Sequence, residues 1–122
     1  MSRVIHFDLT AENPERASKF YSSIFGWKIK KFDGPDNYWV ITTGDDDEPG
    51  INGGLMVRDE TDVTTAYSIS VTSVDDCLEK VEENGGTVVG AKRTIPGVGY
   101  FAYCEDTEDN AFGIIEWDSA AK

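Results

Sequence analysis

A chain of 122 residues suits one domain with a true hydrophobic core and is too short for two independent ones. It carries 11 Lys and Arg against 23 Asp and Glu, a net charge of −12, which argues against nucleic acid and anionic membranes, whose phosphates reward cations. No run approaches the roughly 20 apolar residues that cross a bilayer and no apolar leader opens the chain, so the expectation is a cytoplasmic globular protein.

Taken in chain order, Val4 to Leu9 alternates, with Ile5, Phe7 and Leu9 on one side and His6 and Asp8 on the other, the pattern of a half-buried strand. Asn13-Pro14-Glu15 is a helix start: a capping side chain, a proline where no N–H is needed, and an acid in the first turn. Ala17, Phe20, Tyr21 and Ile24 follow at helical spacing as a stripe for the core, and Gly26 stops the helix. Trp27 to Phe32 and Tyr38 to Thr43 read as strands around the turn Gly34-Pro35-Asp36-Asn37. A polar loop through Pro49-Gly50 leads to the short strand Leu55-Met56-Val57.

The pattern then starts again. Tyr67, Ile69 and Val71 alternate with Ala66, Ser68 and Ser70. Ser73 opens a helix with the stripe Val74, Cys77, Leu78, Val81, and Asn84-Gly85-Gly86 closes it. Thr87 to Val89, Tyr100 to Cys104 and Ala111 to Trp117 are the remaining strands. The pairs His6/Ala66, Asn13/Ser73, Ala17/Cys77, Tyr21/Val81 and Gly26/Gly86 are each sixty residues apart. A fixed period is an architectural signal. It predicts an α+β fold of two βαβββ modules, about residues 1–60 and 61–122 of a single domain spanning 1–122. The curved eight-stranded mixed sheet would carry its helices on the outer face and form a cup with the other. An open sheet of this kind leaves edges to cover, so a homodimer is expected.

The cysteines, Cys77 and Cys104, fall among apolar neighbours and read as buried, reduced thiols. The acidic stretches Asp45-Asp46-Asp47-Glu48 and Glu105 to Asp109 read as solvated loops, since neither has the spacing of an EF-hand calcium loop. A saline environment would favour such acidity. Gly97-Val98-Gly99 has no helix after it and reads as a turn into a strand, not as a phosphate-binding loop.

Several local runs share a resemblance: His6 five residues before Ala11, the Phe20-Tyr21…Phe25-Gly26-Trp27 segment, Ile95 to Tyr103, and the turn Asp106-Thr107-Glu108-Asp109-Asn110-Ala111-Phe112-Gly113. Together they make the chain resemble, over essentially its whole length, the vicinal oxygen chelate superfamily of glyoxalases, bleomycin-resistance proteins and extradiol dioxygenases. The branch it looks most like is the lactoylglutathione lyase-related one. Thr107 and Asp109 stand where that family's turn has Pro and Gly, which predicts a looser turn. The resemblance implies a divalent metal held by His or Glu on the first and last strands of each module, chelating adjacent substrate oxygens as a Lewis acid. Residue by residue, those positions fall on His6, Ala66, Gly113 and Gly53. Only His6 has a donor atom, so no metal site and no cofactor are expected. Glu116 is of the wrong strand parity to replace Gly113 without a bulge.

Two functions stay open. One is a metal-free cup that binds an unidentified small molecule, in the manner of bleomycin-resistance relatives, lined by His6, Asp8, Trp39, Met56, Ser68, Ser70, Tyr100 and Trp117. The other is a lyase or isomerase, related to lactoylglutathione lyase, that uses a divalent metal or His6 as base with Asp8 as its acid–base partner. Against both stand plainer roles: His6 as a hydrogen-bonded wall residue, and the aromatic side chains as core. A purely structural, partner-binding module would need a large exposed apolar patch.

Overall fold

The computed structural model describes residues 2–33, 37–59 and 64–122. Among them run β1 (Val4–Ala11), α1 (Pro14–Phe25), β2 (Lys28–Lys31), β3 (Tyr38–Thr42) and β4 (Gly53–Val57), then β5 (Thr65–Ser70), α2 (Val74–Glu83), β6 (Thr87–Ile95), β7 (Gly99–Glu105) and β8 (Ala111–Trp117). The α+β class and the doubled βαβββ order are those expected from the repeat. The turn expected at Gly34 to Asn37 lies, apart from Asn37, outside the described residues. Two compact units divide the chain, one of residues 6–66, the other of residues 67–122 with the N-terminal residues up to Ile5.

In the first module β4 pairs parallel with β1 and antiparallel with β3, which pairs antiparallel with β2. The second repeats this: β8 lies parallel to β5 and antiparallel to β7, which pairs with β6. Register fixes the faces, because side chains alternate and paired residues point the same way. In the first module Phe7 pairs with Gly53, Leu9 with Leu55 and Leu55 with Trp39, all on the side of α1. In the second, Ile114, Ala102 and Cys104 meet Val74, Cys77, Leu78 and Val81 of α2.

Both helices are capped as their sequences demand. Asn13 Oδ1 accepts from the N–H of Arg16 at 3.0 Å, Pro14 is the first helical residue, and Gly26 ends α1 at φ 72°. Ser73 Oγ accepts from the N–H of Asp76 at 3.2 Å. Glu116 adds its Oε1, 2.9 Å from the N–H of Val74, placing a carboxylate at the positive end of α2. That contact puts Glu116 on the helix side of β8, the parity its position relative to Gly113 requires.

The apolar stripes fare differently. That of α2 packs on its module's core as expected, with Val74 fully buried. That of α1 does not: Phe20 is 57% and Ile24 55% exposed. Instead Tyr21 stacks on Trp27, their centroids 5.1 Å apart and planes 6° apart, while Trp27 contacts Phe7. Trp27, expected as a strand residue, lies just before β2, and Tyr21 is the ring of the α1 stripe that packs on it.

Two further expectations change. β6 is much longer than Thr87 to Val89 because the strand resumes after a register shift between Val89 and Arg93, where Gly90 has φ 78°. The Asp106 turn is tied, not loosened. The Asp106 carboxylate accepts from the N–H groups of Glu108 and Asn110 at 2.8 and 2.9 Å and from Asn110 Nδ2 at 3.0 Å. These bonds favour its ionised form and hold its pKa below the usual carboxylate range. Cys77 and Cys104 are free thiols, and burial pushes Cys104 up to about 11. Among the described residues, no helix is long and apolar enough to cross a membrane.

Candidate functional site

The alternation of β1 sends His6 and Asp8 to the face of the first module opposite α1, as the sequence predicts. Asp8 is 7% exposed, an expensive place for a carboxylate unless donors replace its lost water. Two do. His6 Nε2 lies 3.0 Å from Asp8 Oδ1, and the Tyr38 hydroxyl donates to the same oxygen at 3.1 Å. Nε2 also lies 3.1 Å from the Tyr38 hydroxyl, closing a triangle of three side chains. An ionised carboxylate only accepts, so Nε2 carries the proton in the contact with Asp8, and in the neutral ring Nδ1 then keeps the lone pair.

Tyr38 was not foreseen as a site residue. It stands on β3, two strands from β1, with β4 between them. Adjacent strands lie about 4.8 Å apart, so a phenol must lean across the middle strand to reach Asp8. Gly54 makes this feasible. It pairs with Asp8, and a Cβ built there would fall on the Tyr38 ring and hydroxyl. No local sequence signal couples Tyr38 to Gly54; only the β3–β4 register does.

That register also corrects the expected equivalence of Gly53 with Gly113. Gly53 pairs with Phe7 and faces α1, whereas Gly54 shares the face of Asp8. In the second module Gly113 pairs with Ser68 just as Gly54 pairs with Asp8. Phe101, two positions along from the residue opposite Gly113, covers it as Tyr38 covers Gly54: a Cβ on Gly113 would stand 2.5 Å from the Phe101 ring and 2.9 Å from Ser68 Oγ. The true spacing of the two glycines is therefore 59, not sixty.

The remaining expected residues divide by face. Met56 pairs with Tyr38 and with Thr10, on the side of the triad. Ser68 and Ser70 share the face of Gly113 and Ile115, with Ser68 buried. Trp117 is on that face by alternation and is 60% exposed. Trp39 and Tyr100 are corrections. Trp39 pairs with Leu55 on the α1 side, and Lys31 Nζ sits 5.6 Å from its ring centroid. Tyr100 packs with the core beneath α2. Phe101 and Tyr103, in edge contact at 4.7 Å, hold the open face instead. Tyr100 and Phe101 are adjacent, so the choice between them was one of strand phase, which an unbroken Tyr-Phe-Ala-Tyr run leaves open.

The family's metal does not fit these residues. The ring nitrogen of His6 that contacts protein is committed to Asp8 and Tyr38, Ala66 has no donor, and the spaces over Gly54 and Gly113 are filled by aromatic rings. Among the described residues, no three of His, Cys, Asp and Glu are grouped to hold an ion.

Comparison with known proteins agrees with this architecture. A model of the glyoxalase/bleomycin resistance protein/dioxygenase superfamily matches residues 3–114. A glyoxylase-like domain-containing protein of Didymella fabae is 30% identical over 115 residues, covering 88% of this chain and 88% of the relative. A variant of Streptomyces coelicolor methylmalonyl-CoA epimerase, in complex with 2-nitronate-propionyl-CoA, superposes with TM-score 0.71 at 10% identity, over 100% of this chain and 99% of its own. A glyoxalase/bleomycin resistance protein/dioxygenase superfamily member from Vibrio splendidus gives 0.66 at 11%, over 97% and 100%.

Proposed function

Because the chain belongs to the glyoxalase/bleomycin resistance protein/dioxygenase superfamily, we propose that it uses this fold to bind a small molecule without a chelated metal, with His6, Asp8 and Tyr38 as the polar recognition centre. The carrying observation is the occupation of the open face itself: Tyr38 lies over Gly54 and Phe101 over Gly113, where side chains reaching for an ion would need room. What is left in the first module is a fixed polar group beside Met56. A ligand for the triad would carry a hydrogen-bonding oxygen and an apolar group for Met56. The test is metal content per chain, as purified and after exposure to manganese, iron, nickel and zinc. Only loosely held, substoichiometric metal is expected. A stoichiometric, chelator-resistant ion lost in His6→Ala overturns the reading.

The 3.0 Å contact between His6 and Asp8 supports a second reading, a lyase or isomerase with His6 as base. Asp8 would orient the ring and stabilise the imidazolium, and Nδ1 would take a proton from carbon next to a carbonyl. Deuterium uptake from heavy water into a panel of 2-hydroxy and 2-oxo carbonyl compounds separates the two readings. Uptake abolished by His6→Ala selects catalysis; its absence across the panel leaves binding.

A further inference from the structure

The first module holds a second, chemically different concavity on the α1 side of its strands, away from the triad. It has a volume of about 500 Å³ and is lined by Arg16 and Lys19 of α1, Ile29 and Lys31 of β2, and Trp39 of β3, with Glu15 as its one acid. The charge here runs against the rest of the molecule. A chain with 23 acids and 11 bases gathers three of those bases around one cavity. Among the described residues none of the three has an ion-pair partner, although Lys92 elsewhere pairs with Asp75.

An ordinary structural duty explains only part of this. Within its module β2 pairs with β3 alone, and lysines on such a strand discourage edge-to-edge association. Lys28 and Lys30, on the face away from α1, suit that duty. Lys31 is on the other face, its ammonium 5.6 Å from the Trp39 centroid. Arg16 is likewise held: its backbone N–H binds the Asn13 cap, which fixes where the side chain leaves the helix. Three cations drawn together with a single acid among them, and no ion pair formed among the described residues, repel one another, and an arriving anion relieves that repulsion. Ile29 and the Trp39 ring add an apolar floor.

We propose that this cavity binds a small organic anion, with its carboxylate or phosphate at Arg16, Lys19 and Lys31 and an apolar or aromatic body against Ile29 and Trp39. The site is independent of the triad, since Trp39 and Tyr38 are consecutive on β3 and point to opposite faces.

Naphthalene-1-carboxylate and 1-naphthyl phosphate are suitable probes, with 1-naphthalenemethanol as the neutral comparator, followed through the Trp39 indole N–H by NMR and by calorimetry. Saturable binding of either anion at one site per chain is expected, and the stronger of the two identifies the headgroup. An exposed charge pair contributes about 0.2–1 kcal/mol, so removing two with Arg16→Gln and Lys31→Gln should weaken binding by about two- to thirtyfold, while His6→Ala leaves it unchanged. Equal affinity for the neutral comparator, full affinity in the double variant, or no saturation by about 10 mM, a binding free energy weaker than about −2.7 kcal/mol, would each overturn the proposal. Neither glutamine lies in a packed core, and an unchanged triad spectrum in the variant verifies its fold.

Discussion

The two modules are built on one plan and filled with opposite chemistry. Each sets a glycine of its last strand beside a first-strand residue, Gly54 beside Asp8 and Gly113 beside Ser68. Each leans an aromatic ring over that glycine from the neighbouring strand. In the first module the ring is a phenol that ends on a buried carboxylate, with His6 completing the triangle. In the second the ring is Phe101, the carboxylate is a serine, and Ala66 stands where the histidine would be. The repeat kept the backbone geometry and the steric interlock while one copy lost, or never had, its titratable groups. A doubled fold thus gives two differently furnished faces, one with a carboxylate and an imidazole and one without, from a single design.

The two modules differ most in how their helices are packed. Ile114→Ala in the second module should cost about 2–5 kcal/mol in urea denaturation, as buried large-to-small changes do. Ile24→Ala in α1 should stay within about 0.5 kcal/mol, as exposed positions do. Equal costs would mean that α1 buries its stripe after all.

The interlocks come next. Gly54→Ala and Gly113→Ala should each destabilise by about 1–3 kcal/mol, the usual range for overpacking. Phe101→Ala combined with Gly113→Ala should recover part of that loss, a coupling measurable by a double-mutant cycle. Strict additivity of the pair would remove Phe101 from above Gly113.

Tyr38→Phe makes the first module resemble the second. Hydrogen bonds to charged groups contribute about 1.5–3 kcal/mol, and the loss should fall at the lower end because His6 still satisfies Asp8. The reverse change, Phe101→Tyr, should gain nothing, as Ser68 and Ala66 offer neither carboxylate nor imidazole. Thermal denaturation of the two variants side by side reads both.

A further effect is alkaline and lies in the second module. The folded pKa of Cys104, about 11, is raised above the ordinary thiol value. Between about pH 8.5, where an unfolded thiol titrates, and that folded value the native state binds more protons than the unfolded one. Stability from this group is therefore complete below the unfolded pKa and declines as pH rises toward 11. The slope of stability against pH above 9 should flatten in Cys104→Ala, whatever that variant's baseline. An unchanged slope would assign the alkaline loss to other groups.

Much of this was legible in the residues. Alternation put His6 and Asp8 on one face, the caps Asn13 and Ser73 set both helix starts, and the sixty-residue offset gave the doubled architecture. These are local properties, since a strand's alternation and a helix's cap act between residues a few positions apart. The face of Trp39 and Tyr100 is left open by the sequence, because each is an aromatic residue next to another, Tyr38 and Phe101, and either phase suits a strand. Helical spacing puts Phe20, Tyr21 and Ile24 on one stripe without saying which of them finds a partner: Tyr21 stacks on Trp27, and the other two stay exposed.

The class of fold, its repetition and the scarcity of metal donors follow from composition and short-range order, which a string of residues carries without folding. Only long-range pairing makes Gly54, not Gly53, match Gly113, brings Tyr38 into the triad, and gathers around Trp39 three cations that have no ion-pair partner among the described residues. Those facts depend on strand register and on which side chain crosses a glycine. Both are set by pairing between segments distant in the chain, where a shift of one residue exchanges the faces.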